Sequence, residues 1–176
     1  LVMTTTSLLG AVARLLRHRW RDHRVRGALS DAALQRLKER IARSEKSHGG
    51  QIRLCIEGGL PWSYLRRHAS SRERALMMFS KLRVWDTEHN NGVLIYLLLA
   101  ERSIEIVADR GLNVHVQHAE WRQLIAGMAP ALRKGQFEQG LAQAIDMVHS
   151  LAVRHAPRLL NADHGTNELA DEPYVA

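Results

Sequence analysis

A single cysteine, Cys55, stands among 176 residues, so no disulfide can form within the chain and a reducing compartment is the better fit. Aromatic residues reach only 5%, which leaves little for the base-stacking platforms of nucleic-acid binders. The longest apolar run, Val93 to Ala100, falls far short of the roughly 20 residues that cross a bilayer. There is no internal repeat, no EF-hand loop, no phosphate loop ending in Gly-Lys-Ser/Thr and no Asp-x-Asp nucleophile motif. A cysteine-dependent phosphatase would want an arginine six residues beyond the cysteine. Position 61 is Pro61 and Cys55 falls in an expected strand, which excludes that route. The opening stretch from Leu1 to Ala13 lacks a charged n-region and has a short apolar core running into basic residues. Leu1 and Met3 are both candidate starts. The reading is a cytoplasmic protein without an export signal.

What the chain does have is charge of one sign in one place. Its formal net charge is +7. Between residues 14 and 26, Arg14, Arg17, Arg19, Arg21, Arg24 and Arg26 against Asp22 leave +5, so the rest is only slightly basic. Residues 8–24 read as an amphipathic helix, with Leu8, Val12, Leu15 and Leu16 on one face and Arg14, Arg17, Arg21 and Arg24 on another. Such a helix suits peripheral contact with an anionic inner membrane surface or with a membrane protein. Docking of its apolar stripe on the domain is an equal alternative. Nucleic acid is the weakest reading, because no basic face or known motif accompanies the arginines.

Hydrophobic content of 45% in this length supports one core. Ser30 is an expected N-cap for a helix carrying Leu34, Leu37 and Ile41 inward, ending before Gly49-Gly50. Residues 51–57 alternate as a strand, Ile52, Leu54 and Ile56 against Arg53, Cys55 and Glu57. Ser70 and Glu73 form a capping box for a helix packing Ala75, Leu76, Phe79 and Leu82. The unbroken run from Val93 reads as a central strand covered on both faces, and the short turn at Glu101 to Ser103 folds it back onto a second strand. Two helices complete the chain, His118 to Met128, ended by Pro130, and Gln136 to His155. The expected fold class is α/β, a three-layer α/β/α sandwich whose mixed sheet carries helices on both faces. Residues 1–28 form the basic helix, 29–158 the α/β domain and 159–176 a disordered acidic tail.

The hairpin carries the candidate chemistry. Its first strand enters, and its second leaves, at the same end of the sheet. Asp86, Glu88, Asn90, Asn91 and Asp109 can therefore gather there as oxygen ligands for a hard cation, Ca2+ or Mg2+. The competing view is that the two aspartates cap turns while Glu88 is solvated. If the protein hydrolysed phosphate esters, the remaining route would be metal-assisted water attack. Asp86 and Asp109 would then hold the ion and Arg110 would face the phosphate. His115 and His118 have a zinc-compatible spacing but no third soft ligand. Glu45 and His48 read as polar residues of a last helical turn, His48 complementing the helix dipole when charged.

Several segments in order resemble a known family. They are Gly50-Gln51-Ile52-Arg53, then Asn91-Gly92-Val93-Leu94 with its apolar strand, the acidic-basic turn, Ile104-Glu105-Ile106-Val107, the glycine-leucine step at Gly111-Leu112, and Gly135-Gln136-Phe137. Together, across residues 29–155, they resemble the TPM domain of bacterial, plastid and animal proteins, many of them membrane-attached. The resemblance implies an accessory or binding domain with a divalent-cation site, serving membranes or membrane-protein complexes. Acid phosphatase activity is the alternative it implies, and a metal-free peptide-binding scaffold is a third reading.

Overall fold

The structure is a computed structural model, and it describes residues 10, 13–18, 25–155 and 167–176. Residues 13–18 are helical (α1). The order then runs α2 (Val25–Ala28), α3 (Asp31–Glu45), β1 (Gln51–Glu57), α4 (Trp62–Arg66), α5 (Ser71–Lys81), β2 (Gly92–Leu98) and β3 (Ser103–Ala108). It closes with α6 (Arg110–Asn113), α7 (His118–Arg133), α8 (Phe137–His155) and β4 (Tyr174–Val175). The sheet order is β3-β2-β1-β4. β1 and β2 run parallel with Ile52 beside Val93, and β2 and β3 form the expected antiparallel hairpin with Val93 opposite Ala108.

Period-two alternation divides the core into two layers. Ile52, Leu54, Ile56, Val93, Ile95 and Leu97 face one side, where they meet Leu37 and Ile41 of α3, Leu132 of α7 and Leu141, Ile145 and Val148 of α8. Cys55, Leu94, Tyr96, Leu98 and Val107 face the other, where they meet Leu65 of α4 and Ala75 and Met78 of α5. All seven β2 residues are buried, which is why that strand shows no alternation. The α/β sandwich with helices on both faces is thus the observed fold.

Caps fall where side chains can accept from free helical N–H groups. Ser30 Oγ accepts from Ala33, and Ser70 with Glu73 makes the capping box reciprocally. Two expected helices differ in detail. In α5 the buried face is Ser71, Arg74, Ala75 and Met78, while Leu76 is exposed. Pro130 lies inside α7 rather than ending it. Burial of Ala131 and Leu132 just beyond it outweighs the missing backbone bond.

Both ends of the chain differ from the sequence reading. Val25 and Leu29 belong to the α3-side core, so no boundary separates residues 25–28 from the domain. Within α1, Leu15 packs on the opposite core layer. Arg14 and His18 turn toward Glu101 at the β2–β3 turn, at 2.7 and 3.2 Å. His18 Nδ1 accepts from the Leu60 N–H at 2.9 Å. A Cβ on Gly59 would lie 2.5 Å from the His18 carbonyl oxygen, so this approach requires glycine. Those hydrogen bonds, His18 first and then Arg14, hold the Glu101 carboxyl below its usual range against the effect of burial. The expected helix positions Leu8, Val12, Arg21 and Arg24 lie outside the described residues.

The disordered-tail expectation is corrected for residues 167–176. β4 adds to β1 in parallel, Cys55 beside Tyr174 and Ile56 beside Val175, and Leu169 is buried. An edge strand offers backbone donors and acceptors to any extended segment, so this pairing needs no periodic apolar pattern.

Candidate functional site

At the hairpin end, two segments meet backbone to backbone. The Asp109 N–H donates to the Gly92 carbonyl at 2.9 Å and the Gly111 N–H to the Asn90 carbonyl at 2.7 Å. A side chain at Gly92 would collide with the Val84 carbonyl, and one at Gly111 with the carbonyls of His89 and Asn90. Asn90 adopts the left-handed region at φ 52°, a conformation asparagine tolerates better than most residues.

Three of the expected ligands, Asn90, Asn91 and Asp109, lie on the two segments that meet here. Asp109 caps α6, its Oδ1 accepting from the Arg110 N–H at 2.7 Å. Asn91 is buried. Its N–H donates to Thr87 Oγ1 and its Nδ2 to the Gly49 carbonyl. The Asn90 Oδ1 accepts from Arg110 Nη2 at 3.0 Å. Two buried oxygens, Asp109 Oδ2 and Asn91 Oδ1, have no hydrogen-bond partner among the described residues. Leaving such atoms unmatched costs about 1–3 kcal/mol each.

The other two expected ligands face elsewhere. Asp86 is exposed and pairs with Arg83 at 2.6 Å. It lines a groove of about 310 Å³ with Arg53, Leu82, Arg83, Glu168 and Leu169. Glu88 is exposed, and its N–H donates to Glu168 Oε2 at 2.8 Å. Among the described residues no group of three His, Cys, Asp or Glu side chains could hold a metal ion. His115 stacks on His155 with ring centroids 5.8 Å apart.

Three polar clusters escaped the sequence reading. Glu57 of β1 is buried against Arg74 of α5, whose Nε donates at 2.7 Å and whose Nη2 bonds the second oxygen. The Tyr96 hydroxyl donates to the same carboxylate at 2.7 Å. Burial works to lower the Arg74 pKa, but bonding to Glu57 outweighs it and the value rises. Burial, then the Glu57 charge, raises that of Tyr96. The buried Cys55 thiol is likewise pushed up by burial first and Glu57 second, which leaves it unreactive.

His48 is also buried, and it differs from the expected helix-dipole partner. Its Nδ1 accepts from the Gly50 N–H at 3.1 Å, so the ring carries its proton on Nε2. That nitrogen meets Ser44 Oγ at 2.8 Å, and Ser44 Oγ meets His149 Nδ1 at 3.1 Å. Glu45 turns inward as well, accepting from the Ile52 N–H at 2.6 Å. Burial, reinforced by the nearby Asp171 carboxylate, pushes its pKa up to about 8 although the Ile52 bond opposes the shift. Alternation puts Glu57 on one strand face with Cys55, but only the covering by α5 makes that face buried. For Glu45, the hydrogen-bond partner Ile52 is seven residues away, but nothing in the sequence brings Asp171, 126 residues on, to its side.

A comparison with protein families matches residues 24–151 to the TPM domain. Among solved structures, the chain is similar to the NMR structure of the BA42 protein from the psychrophilic bacterium Bizionia argentinensis, with a TM-score of 0.71. The two are 23% identical over 84% of this chain and 95% of that one, a likeness of fold. No curated protein matches the chain.

Proposed function

The chain belongs to the TPM domain family, and on that footing we propose that it is a non-enzymatic accessory domain with a weak divalent-cation site at the hairpin end. The observation that carries this reading is that two buried oxygens on these adjoining segments, Asp109 Oδ2 and Asn91 Oδ1, are each without a hydrogen-bond partner among the described residues. One is anionic and one neutral, and hard cations take such oxygens together with waters. Calcium suits the irregular loop better than magnesium, which demands near-ideal octahedral geometry. With one carboxylate and the Arg110 guanidinium nearby, affinity should be low, on the order of millimolar.

Calcium at ten times its dissociation constant should then stabilise the fold by about 1.4 kcal/mol, or roughly 3–5 °C in melting temperature. Asp109→Asn should abolish that rise and leave the ion-free protein folded. A melting temperature unmoved by millimolar calcium would sink the site.

Phosphate-ester hydrolysis by a metal-bound water would need Asp86 and Asp109 on one ion and Arg110 on the phosphate. The pairing of Asp86 with Arg83 and of Arg110 with Asn90 favours the non-enzymatic reading.

No helix among the described residues is long and apolar enough to cross a membrane. We place the protein in the cytoplasm, in peripheral contact with an anionic inner membrane surface or a membrane protein. With Arg14, Leu15 and His18 turned to the domain, that contact falls to Leu16, which is 67% exposed, to Arg17, and to the arginines beyond it. Each such charge contributes about 1 kcal/mol at the surface. Anionic vesicles should therefore bind the protein weakly and release it at high salt, and neutral vesicles should not bind it. Equal binding to both would refute the electrostatic contact.

A further inference from the structure

We propose that the outer edge of β1, with the groove beside it, is an addition site for an extended acidic peptide of a partner protein, and that residues 167–176 occupy it as an internal competitor. This goes beyond the cation site and does not depend on it.

The tail is held largely through its backbone. Ala176 N–H donates to the Ile56 carbonyl at 3.0 Å and Gly58 N–H to the Ala176 carbonyl at 3.2 Å. Arg53 Nη1 donates to the carbonyls of Ala170 and Glu172, at 2.5 and 2.9 Å. Gln51 Oε1 accepts from the N–H groups of Glu168 and Leu169, at 3.1 and 3.3 Å. Contacts of this kind select an extended conformation rather than a sequence, and they are how sheet edges take up peptides in trans. Side chains then set the class of occupant. Leu169 fills an apolar seat in the α5-side core. Lys38 reaches Glu172 at 3.5 Å, and Lys81 lies 5.9 Å over the Tyr174 ring. Glu168, Asp171 and Glu172 give the segment three negative charges, against Arg53, Lys38 and Lys81 on the domain, while Arg83 is paired with Asp86. An acidic segment with one leucine and a downstream aromatic therefore fits.

One feature of the site is better suited to a different occupant. Asp171 lies near Glu45, itself a half-buried acid that accepts from the Ile52 N–H. Above about pH 8, where Glu45 ionises, a peptide with a neutral residue at that place avoids the repulsion and should outcompete the tail. The tail joins α8 only through residues 156–166, and its advantage over a free peptide is an effective concentration in the millimolar range.

The test keeps the whole chain and cuts it. A specific protease site is placed between residues 156 and 166, and a labelled peptide with the sequence of residues 167–176 is followed by fluorescence anisotropy. The cut chain should bind the peptide at least about tenfold more tightly than the uncut chain. Arg53→Gln should remove the gain. A peptide carrying Asp171→Asn should bind more tightly than the parent above pH 8. Several results would overturn the proposal: no binding to the cut chain, equal binding by a scrambled peptide, or loss of the folded circular-dichroism spectrum on cutting. So would concentration-dependent dimers of the uncut chain in light scattering, since the occupant would then be a second copy.

Discussion

Replacing Arg74 with Met should destabilise the domain by about 3 kcal/mol or more, which is roughly 10 °C of melting temperature at this size. The guanidinium makes a two-pronged contact with Glu57, and both side chains are nearly removed from water, 10% and 4% exposed. Removing the cation leaves a buried carboxylate with the Tyr96 hydroxyl as its remaining neutral donor. The loss comes mainly from that stranded charge rather than from the bond itself. Replacing all three groups together, Glu57→Leu, Arg74→Met and Tyr96→Phe, should therefore recover most of the stability lost in the single variant. Thermal unfolding followed by circular dichroism separates these cases. A single variant that melts within about 1 °C of the parent would mean the pair is solvated and the burial argument wrong.

The same cluster marks how far the sequence could be read. β1, the hairpin and α5 were legible because each is fixed locally, by alternation, by a short turn and by a capping box. Their assembly into a covered sheet followed from the unbroken apolar run in β2. Glu57 was not legible as a buried acid, because alternation alone places Arg53, Cys55 and Glu57 on one face without saying that α5 covers it. Only the Arg74 partner, delivered by a different element, makes burial of that carboxylate affordable. For the proposed cation site, sequence placed Asn90, Asn91 and Asp109 at one end of the hairpin, where Asn90 bonds Arg110 and the Asn91 side chain turns to Gly49. Asp86 and Glu88 sit in a loop whose direction is set by contacts with Arg83 and with Glu168. The Arg83 pair is local, but the Glu168 contact depends on the tail, and an edge pairing of two residues leaves no pattern in the sequence.

Glu45 should make stability depend on pH between about 5 and 9. Its carboxyl is pushed up to about 8, by burial first and then by Asp171, against the Ile52 hydrogen bond. In the unfolded chain it titrates near its ordinary value of 4.5. Between these two values the folded protein binds a proton that the unfolded chain does not. Stability contributed by the neutral group is fully present below about pH 4.5 and declines as pH rises through 8. The slope is at most about 1.4 kcal/mol per pH unit, so the whole interval is worth up to about 5 kcal/mol. Carboxyls held low in the folded state, such as Glu101, lose their contribution only on acidification below the ordinary carboxylate range, outside this window. Glu45→Gln keeps an oxygen that can accept from the Ile52 N–H but cannot ionise. The variant should match the parent near pH 5 and exceed its melting temperature by roughly 10 °C at pH 9. Asp171→Asn, which removes the repulsion but not the burial, should fall between them. Parallel stability curves for Glu45→Gln and the parent across pH 5–9 would show that Glu45 ionises normally in the folded protein, with the tail packed over a charged carboxylate.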